Sequence, residues 1–413
     1  MIGAGAAGLL AAARLAERGK RTLLVEKNPQ PGVKILMSGG TRCNLTHDCD
    51  RAGIIEAFGK HGRFLHSALA ALGPRELVEL IETEGVPTKV EPGGKVFPCS
   101  DSAHDVLDAL LRRFARSSAE LALNEPVAAI ERSSAGFVVR TSMRAIETPN
   151  VLITTGGQSY PRSGTSGDGY RWAAQLGHTI VPPRPALTPI VVELPWLRAL
   201  QGLTVPDVRL SVVELPSAEG KKQRVLAERR GSLLFAHFGL SGPAALDVSR
   251  EISGHRDLPA LRLQCDFLPD SSPTMVEERL RGFAETCGKK QLAGLLADLI
   301  PRRLIDALFE QAQVPIDRRA ADFSKIERQR VARNLKQLSL PVHGTRGFGK
   351  AEVTAGGVSL DEIDSRTMQS KLIPGLYFAG EVLDLDGWIG GYNFQAAFST
   401  GWLAAERMHF ADQ

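Results

Sequence analysis

Three glycines stand at the spacing G-x-G-x-x-G in Ile2-Gly3-Ala4-Gly5-Ala6-Ala7-Gly8. A helical stretch over 9–18 follows, and 21–25 reads as a buried strand ending in Glu26. The pattern suits a dinucleotide. Gly3 permits a tight turn, Gly5 lets the backbone approach a pyrophosphate, and Gly8 lets the helix pack closely on a sheet. Ala6 and Ala7 open that helix, whose free N–H groups and positive dipole end face the phosphates. Glu26, 21 positions after Gly5, is placed to accept hydrogen bonds from the adenosine ribose, with Lys27 beside it. An acid there disfavours a 2′-phosphate, so NADP is not expected at this turn. A glycine fingerprint alone is weak, but helix, strand and terminal acid follow it in the required order.

Two further stretches carry chemistry. In Ser38-Gly39-Gly40-Thr41-Arg42-Cys43-Asn44 the small residues let backbone approach a flat ring system. Arg42 would stabilise negative charge on a reduced flavin, and Cys43 is a candidate acid–base group. The plainer alternative is a surface glycine turn with Asn44 as an N-cap. Near the other end, 372–381 reads as a turn and a buried strand running into Gly380-Glu381, which brings a carboxylate to a ribityl chain. Asp384 and Asp386 are rivals for that role. Gly390-Gly391-Tyr392-Asn393-Phe394-Gln395 then opens a helix over 393–408. Its N–H groups would meet a flavin pyrimidine, and its dipole would favour the anionic reduced ring. Here the alternative is a capped terminal helix.

The rest of the chain must position these groups. Its 413 residues are 43% hydrophobic and 23% charged, which is ordinary globular composition for two or three domains. A net charge of +4 with scattered Lys and Arg makes nucleic acid an unlikely partner. Five cysteines without paired short spacings argue against a disulfide framework or a zinc site, so a reducing cytoplasm and no metal are expected. No apolar run reaches membrane-spanning length. Only Met1 and Ile2 precede Gly3, where a strand of about five residues is expected. The natural chain is therefore expected to extend upstream of Met1.

Helices are expected over 58–85, broken at Gly73-Pro74, and over 103–116. A strand over 126–130 offers the Val127 backbone to the adenine and pairs with 137–141 as a hairpin. The 151–157 stretch is a strand running into Thr155-Gly156-Gly157 beside the dinucleotide. The Gly-rich 163–169 stretch is preferred as a flavin-side loop over a phosphate loop. From 187 to 270 short strands with turn signals between them, 223–228 and 232–236 among them, suggest an antiparallel sheet or small barrel. Helical periodicity fills 271–342, where Arg328, Arg330, Arg333 and Lys336 give a basic side, read as a solvated face rather than an anion or RNA surface. The expected fold is α/β: a Rossmann-like, two-half FAD-binding domain of 1–186 and 343–413 around an inserted barrel-like and helical domain of 187–342.

These motifs resemble a known family. The Gly3–Gly8 turn, the 38–44 stretch, Gly94-Lys95-Val96-Phe97-Pro98, Thr155-Gly156-Gly157, 237–243, Val353-Thr354-Ala355-Gly356-Gly357-Val358 and Gly380 through Asn393 are similar, in order, to the bacterial FAD-binding family that includes YhiN, BaiN, RdsA and aminoacetone oxidase. The resemblance implies FAD held between both ends of the chain. It leaves the substrate open, since the family spans reductases of steroid-like enones, amine oxidation and uncharacterised proteins. Two departures stand out: Thr154 where a small Ala is usual, and Gln369 in place of an acid.

An FAD-dependent oxidoreductase acting on a small apolar substrate, such as an enone, is the first expectation. An oxygen-dependent amine oxidase, or a flavin-binding RNA-modifying or redox-sensing protein, are the alternatives. No second G-x-G-x-x-G lies between a strand and a helix, so NADH or NADPH would dock only transiently. The acid–base candidates are His237, His343, Tyr392 and Cys43, in a pocket expected where the two domains meet.

Overall fold

Short runs of apolar, strand-favouring residues form the centre of the fold. In a computed structural model that describes residues 1–216 and 223–409, Leu23–Val25 pairs in parallel with Glu120–Ala122, and Leu376–Phe378 pairs in parallel with Val151–Ile153. Ile2 bridges both Val25 and Ile153 in parallel. The order across the sheet is therefore 120–122, 23–25, Ile2, 151–153, 376–378. Leu24, Leu152, Ile153, Leu376, Tyr377 and Phe378 are fully buried, as strands covered on both faces must be. The strand order reverses at Ile2, and ligands bind beyond the carboxyl ends of strands at such a reversal. Gly3, Glu26, Thr154 and Ala379 begin those ends.

Met1 and Ile2 hold the central position through backbone bonds: Ile2 N–H to Leu152 O (3.0 Å), Val25 N–H to Met1 O (2.9 Å) and Gly3 N–H to Val25 O (2.8 Å). Thr154 is explained here, because its hydroxyl donates to Ile2 O (3.0 Å) and Gly3 O (2.8 Å), tying the glycine turn to the next strand. The first helix, Ala6–Glu17, starts earlier than its periodicity suggested, because Ala6 and Ala7 continue the turn directly into helix. The last helix, Tyr392–Arg407, packs along it. Ala103–Arg116 is helical as expected, with Val106, Leu107, Leu110 and Phe114 buried.

The chain divides into Met1–Pro185 with Glu352–Gln413, and Ala186–Ala351. The second unit holds a seven-stranded antiparallel sheet in the order 338–341, 261–266, 204–214, 224–236, 239–241, 190–191, 344–345. Its two outermost strands are consecutive in the chain and joined by Val342 and His343 alone. The three residue steps from 341 to 344 span at most about 11 Å, so the sheet must curl round on itself like a barrel. Two strands expected over 223–228 and 232–236 are one, Arg224–Ala236, because Gly231 sits mid-strand opposite Val208 next to a register shift instead of making a turn. Gly344–Thr345 pairs with Ile190–Val191, which carries 343–351 into this unit rather than the other. Helices over 273–337 close the same core, with Leu304, Leu308, Val331 and Leu335 packed with Leu210, Leu263 and Phe235. Among the described residues, no helix is long and apolar enough to cross a membrane.

One buried polar network braces the first unit. His178 Nδ1 lies 2.9 Å from Glu362 Oε2, and its Nε2 lies 2.9 Å from Ser370 Oγ. Burial lowers the His178 pKa, with Glu362 opposing it. Burial works against the Glu362 charge, but donors from Thr179 and His178 outweigh it and lower that pKa too. Both groups thus bind protons less readily folded than unfolded. Their stabilisation is present above the unfolded histidine value of about 6.5 and is lost as pH falls. Thermal melting should drop steadily from pH 6.5 towards 4, with a shallower slope in His178→Gln. A wild-type melting temperature flat over that range would contradict the assignment.

Candidate active site

The first glycine turn is shaped by what would collide with it. Gly3 has φ +105°, and a Cβ there would sit 2.7 Å from Thr154 O. A Cβ on Gly8 would lie 1.9 Å from Gly3 O, whereas one on Gly5 would meet nothing within 4 Å. Gly5 therefore opens onto free space at the helix start, and it leaves the first N–H groups without a side-chain cap. Glu26 lies directly beneath. Its Oε2 accepts from Ala4 N–H (2.7 Å) and its Oε1 from Asn28 N–H (2.9 Å), which fixes the carboxylate at the strand end. Glu125 N–H donates to Glu26 O (3.0 Å), and this brings the strand beginning at Val127 alongside. Across the turn, Thr155 Oγ1 is buried with no hydrogen-bond partner, and Gly156 has φ +70°.

Lys27 points elsewhere than expected. Its Nζ donates to Ser166 Oγ (2.6 Å) and Asp168 Oδ2 (2.6 Å), so its charge is already matched. Asn28 Nδ2 donates to Ser163 O (3.0 Å). The 163–168 loop therefore lies against the residues that follow Glu26.

The second cluster joins 38–47 to 387–395. Gly39, Gly40, Thr41 and Cys43 all have left-handed backbone, with φ +56°, +68°, +70° and +60°. A β-branched threonine in that region costs about 1–3 kcal/mol and persists only when its surroundings hold it. Oriented to satisfy both its ends, the Asn44 amide donates to Thr46 O (3.0 Å) and Val96 O (3.3 Å) and accepts from Gly391 N–H (3.2 Å). Thr46 Oγ1 donates to Gln395 Oε1 (2.6 Å). Gly391 has φ +94°, and a Cβ there would lie 2.3 Å from Thr46 O. The strand at Thr46–His47 is thus pressed against the start of the last helix.

Several expected roles change at this junction. Cys43 is fully buried, and burial pushes its thiol up to about 12, surroundings that suit a packing residue. Arg42 pairs with Glu91 (2.7 Å) and Asp101 (3.2 Å) and lies 4.0 Å over the Phe97 ring, so its charge is already neutralised. Gln395 is fully buried, its Nε2 donating to Leu72 O (3.1 Å) and Ser399 Oγ (2.9 Å), so it pins the helix rather than facing a cofactor. Asn393 accepts from Gly387 N–H (2.8 Å) and donates to Gly387 O (3.1 Å) and Trp388 O (3.2 Å), bracing the glycine turn. Tyr392 sits between two rings, stacked on His47 at 4.5 Å and edge-on to Trp388 at 6.0 Å.

Glu381, 16% exposed, has Oε1 accepting from Thr354 N–H (2.8 Å) and Oε2 paired with Lys34. Gly380 precedes it with φ +78°, its α-carbon facing Ala7 of the first helix. Its rival Asp384 is turned to His61, 3.9 Å away, and burial raises its pKa although His61 opposes that. Asp386 is buried. His237 lies on the turn after Arg224–Ala236 in the second unit, edge-on to Phe238. His343 Nδ1 accepts from Glu193 N–H (3.1 Å) in that same unit, a structural bond.

His47 and Lys34 were not singled out from sequence. Lys34 lies seven positions after Lys27 with no motif of its own. His47 Nδ1 is 3.1 Å from Gly390 O and its ring lies under Tyr392, a contact across 345 positions that no local pattern reveals. The free space at Gly5, the orphaned Thr155 hydroxyl and the fixed Glu26 carboxylate together fit FAD, for which residues 3–8 could hold the phosphates, Glu26 the ribose, Glu381 the ribityl chain and 390–392 the ring.

The geometry sets two expectations. Gly391→Ala should lower both the melting temperature and FAD content, because left-handed strain and the collision with Thr46 act together. Cys43 should resist a thiol alkylator in the folded protein while exposed Cys99 reacts, with Cys43→Ala keeping turnover within about threefold, as expected for a small packing change. Rapid modification of Cys43, read by peptide mass, would overturn its assignment as a packing residue.

Residues 1–407 match the family described as "HI0933-like protein Rossmann domain". The ribosomal RNA dihydrouridine synthase of Escherichia coli (strain K12) is 34% identical, covering 98% of this chain and 96% of that protein. The 3-dehydro-bile acid delta(4,6)-reductase of Clostridium scindens is 31% identical, covering 98% and 97%. The solved 3-ketosteroid-delta4-(5alpha)-dehydrogenase of Rhodococcus jostii RHA1 aligns with TM-score 0.47 and 15% identity, over 98% of this chain and 94% of that one. The chain belongs to the HI0933-like Rossmann family, the FAD-dependent oxidoreductase family to which its glycine motifs point.

Proposed function

We propose that this protein reduces a carbon–carbon double bond conjugated to a carbonyl, and that its substrate is a uracil ring in ribosomal RNA. The observation that carries the reading is chemical. Forming dihydrouridine saturates the uracil C5=C6 bond, which is conjugated to the C4 carbonyl. A delta(4,6) bond of a 3-oxo steroid is conjugated to its ketone in the same way. Relatives of near-equal similarity thus carry names that share one reaction type on very different molecules. FAD, when bound, would supply hydride chemistry, with NADH or NADPH as the source of the electrons.

The chain's own residues supply the rest. The start of the helix Tyr392–Arg407, braced by Asn44 on Gly391 N–H and by His47 on Gly390 O, presents a positive helix end to the ring that gains charge on reduction. A proton must reach the carbon α to the carbonyl, and Tyr392 is the expected donor. Its ring is fixed by His47 and Trp388.

The RNA arm is favoured over a small apolar substrate by charge. Residues 186–351 carry 25 Lys and Arg against 19 Asp and Glu, a net +6, while the remainder carries 25 against 27, a net −2. The +4 of the whole chain hides this division, which is why composition alone spoke against nucleic acid.

Anaerobic mixing with NADPH or NADH should bleach the flavin. Ribosomal RNA transcribed without modifications should then reoxidise it, with one uridine gaining two hydrogens by mass. Tyr392→Phe should retain the flavin spectrum but slow that step by roughly a hundredfold or more. Reduced protein that passes electrons to oxygen but neither to RNA nor to a conjugated enone would refute the proposal.

A further inference from the structure

We infer that the helical part of the second unit is an RNA phosphate-binding surface built from Lys289, Lys290, Arg319, Lys325, Arg330 and Arg333. The inference rests on the ribosomal RNA reading above and deepens it, by naming where the polymer is held.

The cationic side chains of this region divide into two sets. Some already have partners: Arg302 with Asp306 (2.8 Å), Arg318 with Glu327 (2.7 Å), and Lys336 with Asp266 (2.7 Å). Arg328 donates to Phe323 O (2.7 Å), and Arg303 to backbone carbonyls. These act within the fold. The six named above are exposed and make no side-chain hydrogen bond or ion pair among the described residues. A free cation can neutralise a phosphate and release its counterion. A paired one must first break an existing bond, so the free set is the one that matters for a polyanion.

Backbone pairing brings three of the six to one edge. Gln291 bridges Arg319 antiparallel, Ala320 N–H donates to Lys290 O (2.9 Å), and Ala321 N–H donates to Gly288 O (3.0 Å). Lys289, Lys290 and Arg319 therefore project from adjacent chain segments, with Asp317 and Asp322 flanking them. The other three lie on the helix Lys325–Gln337. Its exposed residues Ile326, Gln329, Arg330, Arg333 and Gln337 recur at helical spacing on one face, beside Lys325 at its start. The helix has a single acid, Glu327, and that acid is turned to Arg318. The outward face thus has cations and amides with no carboxylate. Ile326 is 63% exposed there.

A merely solvated helix would intersperse charges of both signs, as the surface of the first unit does: Arg75 with Glu79, Arg140 with Glu131. An acidic protein would also find cations here. RNA is favoured because the surface is paired with a reaction whose substrate ring belongs to a phosphate polymer.

The test uses the FAD-loaded full chain and a fluorescently labelled, uridine-containing ribosomal RNA hairpin, read by anisotropy from 50 to 300 mM salt. The variant K289Q/K290Q/R319Q/R330Q/R333Q should bind at least tenfold more weakly at 150 mM. Its plot of log affinity against log salt should be shallower by roughly 0.7–0.9 for each phosphate that the variant no longer neutralises. Flavin content, reduction by NADPH and reduction of a small conjugated enone should match wild type, which shows that the fold survives. If wild type binds and reduces the RNA but the variant does so with equal affinity and slope, the surface is wrong and the reaction stands. If wild type neither binds nor reduces RNA at low salt, the RNA reading falls and the surface with it. If the variant loses binding to a polyglutamate probe but not to RNA, the partner is an acidic protein and the inference is overturned.

Discussion

The two ends of the chain meet at a backbone contact that leaves no room for a side chain. A Cβ on Gly401 would lie 2.5 Å from Ala7 O, so the first and last helices touch peptide to peptide. Arg14 pairs with Glu406 at 2.6 Å further along the same crossing. Gly380 faces Ala7 from another side, where an added Cβ would sit 3.2 Å from the Ala7 Cβ. This crossing decides where the two uncapped helix starts lie relative to each other. Residues 5–8 and 390–392, separated by almost the whole sequence, become two anchors in one unit. If these two motifs hold opposite ends of FAD, binding would depend on the crossing more than on either glycine motif alone.

The strained 38–47 segment follows from that arrangement. Left-handed Thr41 and Cys43 would relax in an isolated loop. They are held because Asn44, Thr46 and His47 each bond or stack on the last helix or its glycine turn. Arg42 adds to the restraint by pairing with two carboxylates while lying on Phe97. The same residues that seemed suited to flavin chemistry are instead spent on holding backbone in place. In the proposed reaction the chemistry would then fall to the start of the last helix and to Tyr392, whose ring the clamp orients.

Much of this was readable from sequence where the signal is local. The first turn, Glu26, the helix Ala103–Arg116 and the strand Val151–Ile153 each rest on composition within a few residues. Where side chains have partners the sequence did not suggest, one physical cause recurs. Arg42, Cys43, Lys27 and Gln395 were judged by what their side chains can do, and each proved to have a partner far away in sequence: Glu91, the buried core, Asp168 and Leu72. His47 was missed for the mirror-image reason, since its value lies wholly in Tyr392 and Gly390. Gly231 misled because a glycine inside a long strand and one in a turn look alike until the partner strand is known. Thr154, by contrast, stood out as unusual from sequence, and the structure supplies its bond to Gly3.

The division of charge between the two units bears on how such a fold changes substrate. The dinucleotide unit fixes which reaction is available, because hydride transfer belongs to the cofactor and needs only a held ring and an oriented proton. Nothing in that requirement distinguishes a uracil from a steroid, since both present a double bond conjugated to a carbonyl. Discrimination must therefore come from elsewhere, and function is grafted onto a fold at such places. A net charge of −2 on one unit would repel a polyanion, and +6 on the other would attract it. Under the proposed function, attraction of this kind would act before any ring reached the flavin, and so would select the polymer rather than the base. An insert of the same barrel and helices with its free cations neutralised should then keep the reaction and lose the preference for a polyanion.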